Sequence, residues 1–338
     1  MIYYKSKIMN EEEKMKEKET KRKSNLKYSL LLLLLLAILL ISSTYAWFTA
    51  NKTVTVSELS VNVQAQNGLQ ISADAVNWKS ILSNEDITSA AYSGCINQIP
   101  LTMEPVSTGG NINSGDLDLF YGTVTSSEPS GLDELTATKE AVATKGQDGK
   151  YIAFDAYLKV DQTSELKLTT LSNVISDSNK GLQNSGRVAF LIEGHTDVGE
   201  DPTTLYGSKT GTASELYIWE PNYDVHTAAA VQNASSAYGK TIKTTGCAQQ
   251  PYDGVIDVIN TGIPLKQTNA TDNGDKFQKV TPKINTPVVF DEDQPMFTLQ
   301  AGVTKVRIYM WIEGQDLDCE NNASGSDVKF NLQFTIAD

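Results

Sequence analysis

Val328-Lys329-Phe330-Asn331-Leu332-Gln333-Phe334-Thr335-Ile336 is the stretch that decides the fold class. Val328, Phe330, Leu332, Phe334 and Ile336 fall on one side of an extended chain, and Lys329, Asn331, Gln333 and Thr335 on the other. Period two with aromatic and β-branched residues reads as a half-buried antiparallel strand. Val303–Glu313 repeats the signal just upstream. Working back, further strands are expected at Leu117–Val124, Tyr151–Val160, Leu166–Leu171, Val188–Glu193, Leu216–Trp219, Val255–Ile259 and Met296–Leu299. Asn67-Gly68 reads as a turn into Leu69-Gln70-Ile71. Helical signals are few: Asp133–Ala143 opens on an acidic turn, and Asp224–Ser236 is rich in alanine. Polar stretches such as Ser107–Gly115, Asp197–Thr212 and Thr268–Asp275 separate the strands. The expectation is an all-β fold, an antiparallel β-sandwich or jelly roll with long polar loops.

One segment echoes another. Val188-Ala189-Phe190-Leu191-Ile192-Glu193-Gly194 and Ile308-Tyr309-Met310-Trp311-Ile312-Glu313-Gly314 are apolar strands ending in Ile-Glu-Gly. Two copies are too few for a solenoid and suggest a duplicated sheet edge.

The N-terminus has another character. Lys21, Arg22, Lys23 and Lys27 precede Leu30–Leu36, seven consecutive leucines, and then Ala37-Ile38-Leu39-Leu40-Ile41. No polar face remains for a cytosolic helix. A basic flank, an apolar core and small residues at Thr44 and Ala46 read as a signal peptide cut between Ala46 and Trp47. Counted from Tyr28 to Phe48 the same segment suits a retained anchor helix, so leader and anchor both stand, with cleavage preferred. The positive flank places the body outside the membrane. Residues 1–46 are thus the leader or anchor and 47–338 one extracellular β-domain, exported to the cell surface or medium. The membrane and a signal peptidase are its expected partners.

The chain carries a formal charge of −13, and residues 1–28 hold nine Lys/Arg against five Glu, so the body is more acidic still at −17. Nucleic-acid binding needs clustered cations and is excluded. Cys95, Cys247 and Cys319 stand far apart, compatible with one disulfide in any pairing or with three thiols.

Behind the leader, Val54, Val56, Leu59, Val61 and Val63 form an alternating strand with a phase break after Val56. Ser43-Thr44-Tyr45-Ala46-Trp47-Phe48-Thr49 running into that strand resembles the TasA/camelysin group, surface and matrix proteins of Gram-positive bacteria. Trp311-Ile312-Glu313-Gly314-Gln315-Asp316-Leu317-Asp318-Cys319 and the final strand look like the close of related surface proteins. About a quarter of the chain is covered. The resemblance implies export, a jelly-roll body, a dedicated signal peptidase and, for some members, fibres joined by donation of the N-terminal strand. It also implies a second class, since camelysin is a casein-cleaving metalloprotease.

Chemistry is sparsely marked. His195 and His226 are the only histidines; neither lies in HExxH, and a site joining them with Glu193 or Asp224 is the metalloprotease candidate. Asp316, Asp318, Glu320, Asn322 and Asp327 present oxygens at alternate positions with an acid in twelfth place, a candidate structural Ca²⁺ loop without the glycine at position six. Gly239-Lys240-Thr241 lacks the first glycine of a phosphate loop, and no GxSxG elbow occurs. Trp219, at a strand end before Glu220-Pro221-Asn222-Tyr223, is the candidate stacking residue for a sugar, while Trp311 is read as core. The sequence therefore favours a non-catalytic surface or matrix protein, structural or adhesive. It self-associates through Val54, Val56, Leu59, Val61 and Val63 if that strand is exchanged, and stays monomeric if the strand completes its own sheet. A surface metalloprotease and a sugar-binding module are the alternatives.

Overall fold

In the computed structural model, residues 61–65, 68–127, 132–178, 180–238, 241–247, 263–264, 280, 283–319 and 325–337 are described. The leader, the cleavage pair Ala46 and Trp47, the strand residues Val54, Val56 and Leu59, and the Val255–Ile259 segment lie outside them. No described helix is long and apolar enough to cross a membrane.

The strands are β1 (Val61–Ala65), β2 (Gln70–Ser72), β3 (Ile81–Leu82), β4 (Ile112–Asn113), β5 (Asp116–Leu117), β6 (Phe120–Ser127), β7 (Leu132–Lys139), β8 (Ile152–Val160) and β9 (Ser164–Leu168). They continue with β10 (Asn173–Ile175), β11 (Gly186–Thr196), β12 (Leu216–Pro221), β13 (Ile263–Pro264), β14 (Lys283–Thr286), β15 (Gln294–Leu299), β16 (Gly302–Ile312) and β17 (Lys329–Ile336). Among the described residues two α-helices interrupt them, α1 (Asn84–Ser89) and α2 (Ala228–Tyr238). The chain is all-β with minor helical content.

Two six-stranded sheets dominate. The first runs β15-β9-β17-β1-β3, with β10 also paired to β17; the second runs β14-β12-β11-β16-β8-β2. They share one hydrophobic core. Phe190 of β11 meets Phe334 of β17 edge-to-face with ring centroids 5.8 Å apart, and Tyr217 of β12 meets Phe297 of β15 at 5.0 Å. The alternation read in the last strand holds only in part: Lys329 and Asn331 are half-buried but Gln333 and Thr335 are buried too, while Phe330, Leu332 and Phe334 are buried as expected. Each of these last three contributes roughly 1.5–3 kcal/mol by leaving water.

Three expectations need correction. The sheets are mixed: β1 pairs parallel to β17, Val61 opposite Phe330 and Ala65 opposite Phe334, and β12 pairs parallel to β14. A local alternation fixes which face is buried but not the direction of the neighbour. The helix expected over Asp133–Ala143 is instead strand β7, laddered to β6 from Ser127/Leu132 to Phe120/Lys139. Thr136 and Thr138 suit a strand, and the ladder overrides the propensity of the flanking Glu, Lys and Ala. The echoed segments form no edge: β11 and β16 are the two central strands of the second sheet and pair antiparallel with each other. The alanine-rich segment does form α2, and no disulfide joins Cys95, Cys247 and Cys319.

The second sheet is buried on both faces. Val188, Phe190, Ile308 and Met310 point toward the first sheet. Arg187, Leu191, Arg307, Tyr309 and Trp311 therefore point the other way, because side chains alternate along a strand. That outer face is covered by the segment leading from α1 to β6: Arg307 Nη2 donates to the Ile96 carbonyl at 3.0 Å, and the Leu117 amide donates to Tyr309 Oη at 3.3 Å.

Candidate functional site

The covered outer face of the second sheet holds a band of buried charge. The register of β11 against β16 explains its layout. The echoed strands are longer than Ile-Glu-Gly, for each opens with an arginine six residues before its glutamate: Arg187…Glu193 and Arg307…Glu313. Antiparallel pairing sets Arg187 opposite Trp311 and Arg307 opposite Leu191. Each arginine so lies near the glutamate end of the other strand, and the pair has a local two-fold character.

At one end Arg187 is 4 % exposed. Its Nη2 donates to Glu220 Oε1 at 2.5 Å and to Asp316 Oδ2 at 2.6 Å, and its Nη1 donates to the carbonyls of Asn184 and Gly186. Lys283 Nζ reaches the other oxygen of Glu220 at 2.5 Å. Glu313 accepts from Trp311 Nε1 and from the Gln315 amide, both at 3.0 Å. The Asp318 amide donates to Asp316 Oδ1 at 2.9 Å, and the Thr227 amide donates to Asp318 Oδ1 at 2.7 Å. His226 sits beside them, Nδ1 2.9 Å from Asp318 Oδ2 and Nε2 2.8 Å from the Cys247 carbonyl. Gly181 allows this close approach: its φ is +92°, and a Cβ there would fall 2.2 Å from Thr227 Cγ2 and 3.3 Å from Asp318 Oδ1.

Burial governs the protonation of this cluster. It pushes Glu313 up to about 7 against the hydrogen bonds from Ser107 and Trp311. It lifts Asp316 to about 6, Arg187 opposing the rise and Asp318 adding to it. Burial alone would discharge His226, but the hydrogen bond to Asp318 and the nearby carboxylates outweigh it and raise the ring above its ordinary value.

At the other end Arg307 Nη1 donates to Asp155 Oδ1 at 2.8 Å, Lys305 Nζ lies 3.1 Å from Asp155 Oδ2, and Tyr92 Oη donates to the same oxygen at 2.8 Å. Burial works against the Asp155 charge, but Arg307 and Lys305 hold its carboxyl below the usual range. The Glu193 carboxyl, fully buried, accepts only the Gly211 amide on Oε2 at 3.0 Å; Oε1 meets no donor. Desolvation pushes it up to about 7. A register shift between Ile192 and Gly194 marks a bulge there.

The residues singled out by sequence are placed as follows. Asp316 and Asp318 turn inward to Arg187 and His226. Asp327 accepts the Asp177 amide at 3.1 Å, while Glu320 and Asn322 lie outside the described residues. His195 contacts Thr304 Oγ1 at 3.2 Å and Asp197 at 3.5 Å. Eight residues of strand separate it from Arg187, roughly 26 Å, so the structure gives the two histidines separate partners. Trp219 is not an exposed platform: it is fully buried, its Nε1 donating to Thr286 Oγ1 at 2.8 Å, because the strand continues through Pro221 and inserts the ring between the sheets. Trp311 is core as expected. Val61 and Val63 lie in β1, and Val63 is fully buried. Arg187, Arg307, Asp155 and Glu220 match no site motif in the sequence. The two arginines carry a signal in the sequence, a charge inside an apolar run that recurs at the same offset from Ile-Glu-Gly; Asp155 and Glu220 carry none beyond an acid inside an apolar run.

The described groups are mostly saturated by each other and closed to solvent. Such a band can hold the covering layer in register; it offers no open cleft around a nucleophile. Among the described residues one group of metal-ligating type occurs: His226, Asp316 and Asp318 each bring a ligand atom to within 4.8 Å of the others. Comparison with known proteins finds no match: no family model, no curated protein and no solved structure.

Proposed function

We propose that the chain is an exported cell-surface or matrix protein with a structural or adhesive role, whose jelly-roll-like body joins copies through its N-terminal strand. The observation that carries the reading is the place of β1. This strand of five residues lies between β17 and β3, parallel to β17, and supplies the fully buried Val63 to the core. The sheet needs a strand there, and backbone pairing does not distinguish a strand of the same chain from one of a neighbour. Its other neighbour holds it at only two positions, Val63 with Leu82 and Gln64 with Ile81. The apolar leader and acidic body support export, and the sealed polar band supports a structural role over a catalytic one.

The test is deletion of residues 47–65 from the mature chain. Under exchange, the deleted protein is a folded monomer that binds an added peptide of the missing sequence. Under simple completion in cis, deletion unfolds the domain and the intact protein stays monomeric. Export is checked by N-terminal sequencing of the extracellular protein, expected to begin at Trp47; recovery of only full-length, membrane-bound chain defeats it.

A further inference from the structure

We propose that His226, Asp316 and Asp318 form a structural site for one divalent first-row transition ion of the zinc class, locking the segment around His226 to the turn that follows β16. The inference is independent of strand exchange. His226 Nε2 faces the Cys247 carbonyl, an acceptor only, so this nitrogen carries hydrogen and Nδ1 of the neutral ring carries the lone pair. That lone pair points at Asp318 Oδ2, 2.9 Å away, which is also an acceptor. Two acceptors meet only around a positive centre, a proton or a metal ion.

Charge decides that a cation belongs there. With the imidazole neutral, two fixed cations, Arg187 and Lys283, face three carboxylates, Glu220, Asp316 and Asp318, so the pocket lacks one positive charge, which a proton on Nδ1 or a metal ion can supply. The imidazole is 2 % exposed and the Asp318 carboxylate fully buried, so solvent does not screen the excess.

Geometry suits an ion. Bonds of about 2.1 Å place neighbouring ligand atoms about 3.0 Å apart at an octahedral centre and about 3.4 Å apart at a tetrahedral one; Nδ1 and Oδ2 stand 2.9 Å apart, a spacing a shared proton also gives, and Asp316 brings its oxygen within 4.8 Å of both, so an ion would draw Asp316 inward. The outer contacts have the form usual around a metal: the far ring nitrogen bonds a backbone carbonyl, and both carboxylates are oriented by backbone amides, of Thr227 and of Asp318. One imidazole with two carboxylates selects zinc, iron or manganese over calcium and magnesium, which take oxygen alone.

The test uses the mature chain with His195→Asn, which leaves His226 as the sole histidine. Metal-free protein is titrated with Zn²⁺ and separately with Ca²⁺, followed by calorimetry and by nitrogen-15 NMR of the ring. One equivalent of Zn²⁺ should bind, shift the Nδ1 resonance, leave Nε2 protonated and raise the unfolding temperature. Millimolar Ca²⁺ should do none of these. Asp318→Asn, which keeps an acceptor for the Thr227 amide, should weaken zinc binding by more than about 100-fold. A ring spectrum unchanged by stoichiometric Zn²⁺ overturns the proposal and leaves a proton as the cation. So does zinc binding that survives Asp318→Asn.

Discussion

Glu193→Gln isolates the effect of one carboxyl sealed inside the sheet. Burial raises Glu193 from its ordinary 4.5 to about 7. Between those two values the folded chain holds a proton that the unfolded chain has released. Stability therefore falls as pH climbs from about 4.5 to about 7, and the whole loss is present above 7. At 1.36 kcal/mol per pH unit the gap is worth roughly 3 kcal/mol. Glutamine abolishes the titration and keeps an oxygen for the Gly211 amide, the only donor the Glu193 carboxyl meets. The variant and the parent should be nearly equal in urea unfolding at pH 4.5. The variant should then gain steadily, reaching up to roughly 3 kcal/mol at pH 8. Taking the difference between the two proteins cancels the other titrating groups. A variant no more stable than the parent at pH 8 would refute the claim that desolvation dominates at Glu193.

The companion change Glu313→Gln should behave differently. Both Glu313 oxygens accept donors, so one amide NH₂ must face the Trp311 indole or the Gln315 amide; a loss of about 1–3 kcal/mol is expected in urea unfolding followed by tryptophan fluorescence. Asp155→Ala strands two buried cations, Arg307 and Lys305, and should destabilise the domain by about 3–5 kcal/mol. Gly181→Ala forces a left-handed backbone and a Cβ against Thr227, and should lower the unfolding temperature by an amount equivalent to about 1–3 kcal/mol. Val63→Asp places a charge at a fully buried position, costing several kcal/mol whichever chain supplies β1. Under exchange it should abolish assemblies, seen by light scattering, while circular dichroism still reports a folded body.

Where one strand face is apolar and the other polar, the sequence discloses the structure. β17 is legible from its alternation, and β16 from a long run of β-branched and aromatic residues that is buried on both faces. The direction of β1 is not legible, since β17 and β1 are separated by almost the whole chain and only packing chooses parallel pairing. β7 misleads because its acidic start and its Lys, Glu and Ala mimic a helix, while its eight-position ladder to β6 is invisible locally. The site was half legible. Asp316 and Asp318 stand out as acids in a polar run, which suggests a solvated loop. They turn inward because Arg187 and His226 arrive from 129 and 92 residues away along the chain. Trp219 looked exposed beside a polar turn, but the ladder to β14 extends past it and buries the ring.

Strand exchange is tested most directly by the association state of the mature chain, residues 47–338. The body carries a net −17, so repulsion is strongest at neutral pH and relaxes on acidification. Concentrated, mildly acidified protein is measured by light scattering and electron microscopy, with and without excess peptide of sequence 54–65. The account predicts growing linear assemblies that the peptide caps at short length. Protein that stays monomeric at every concentration, with no peptide bound, would contradict it.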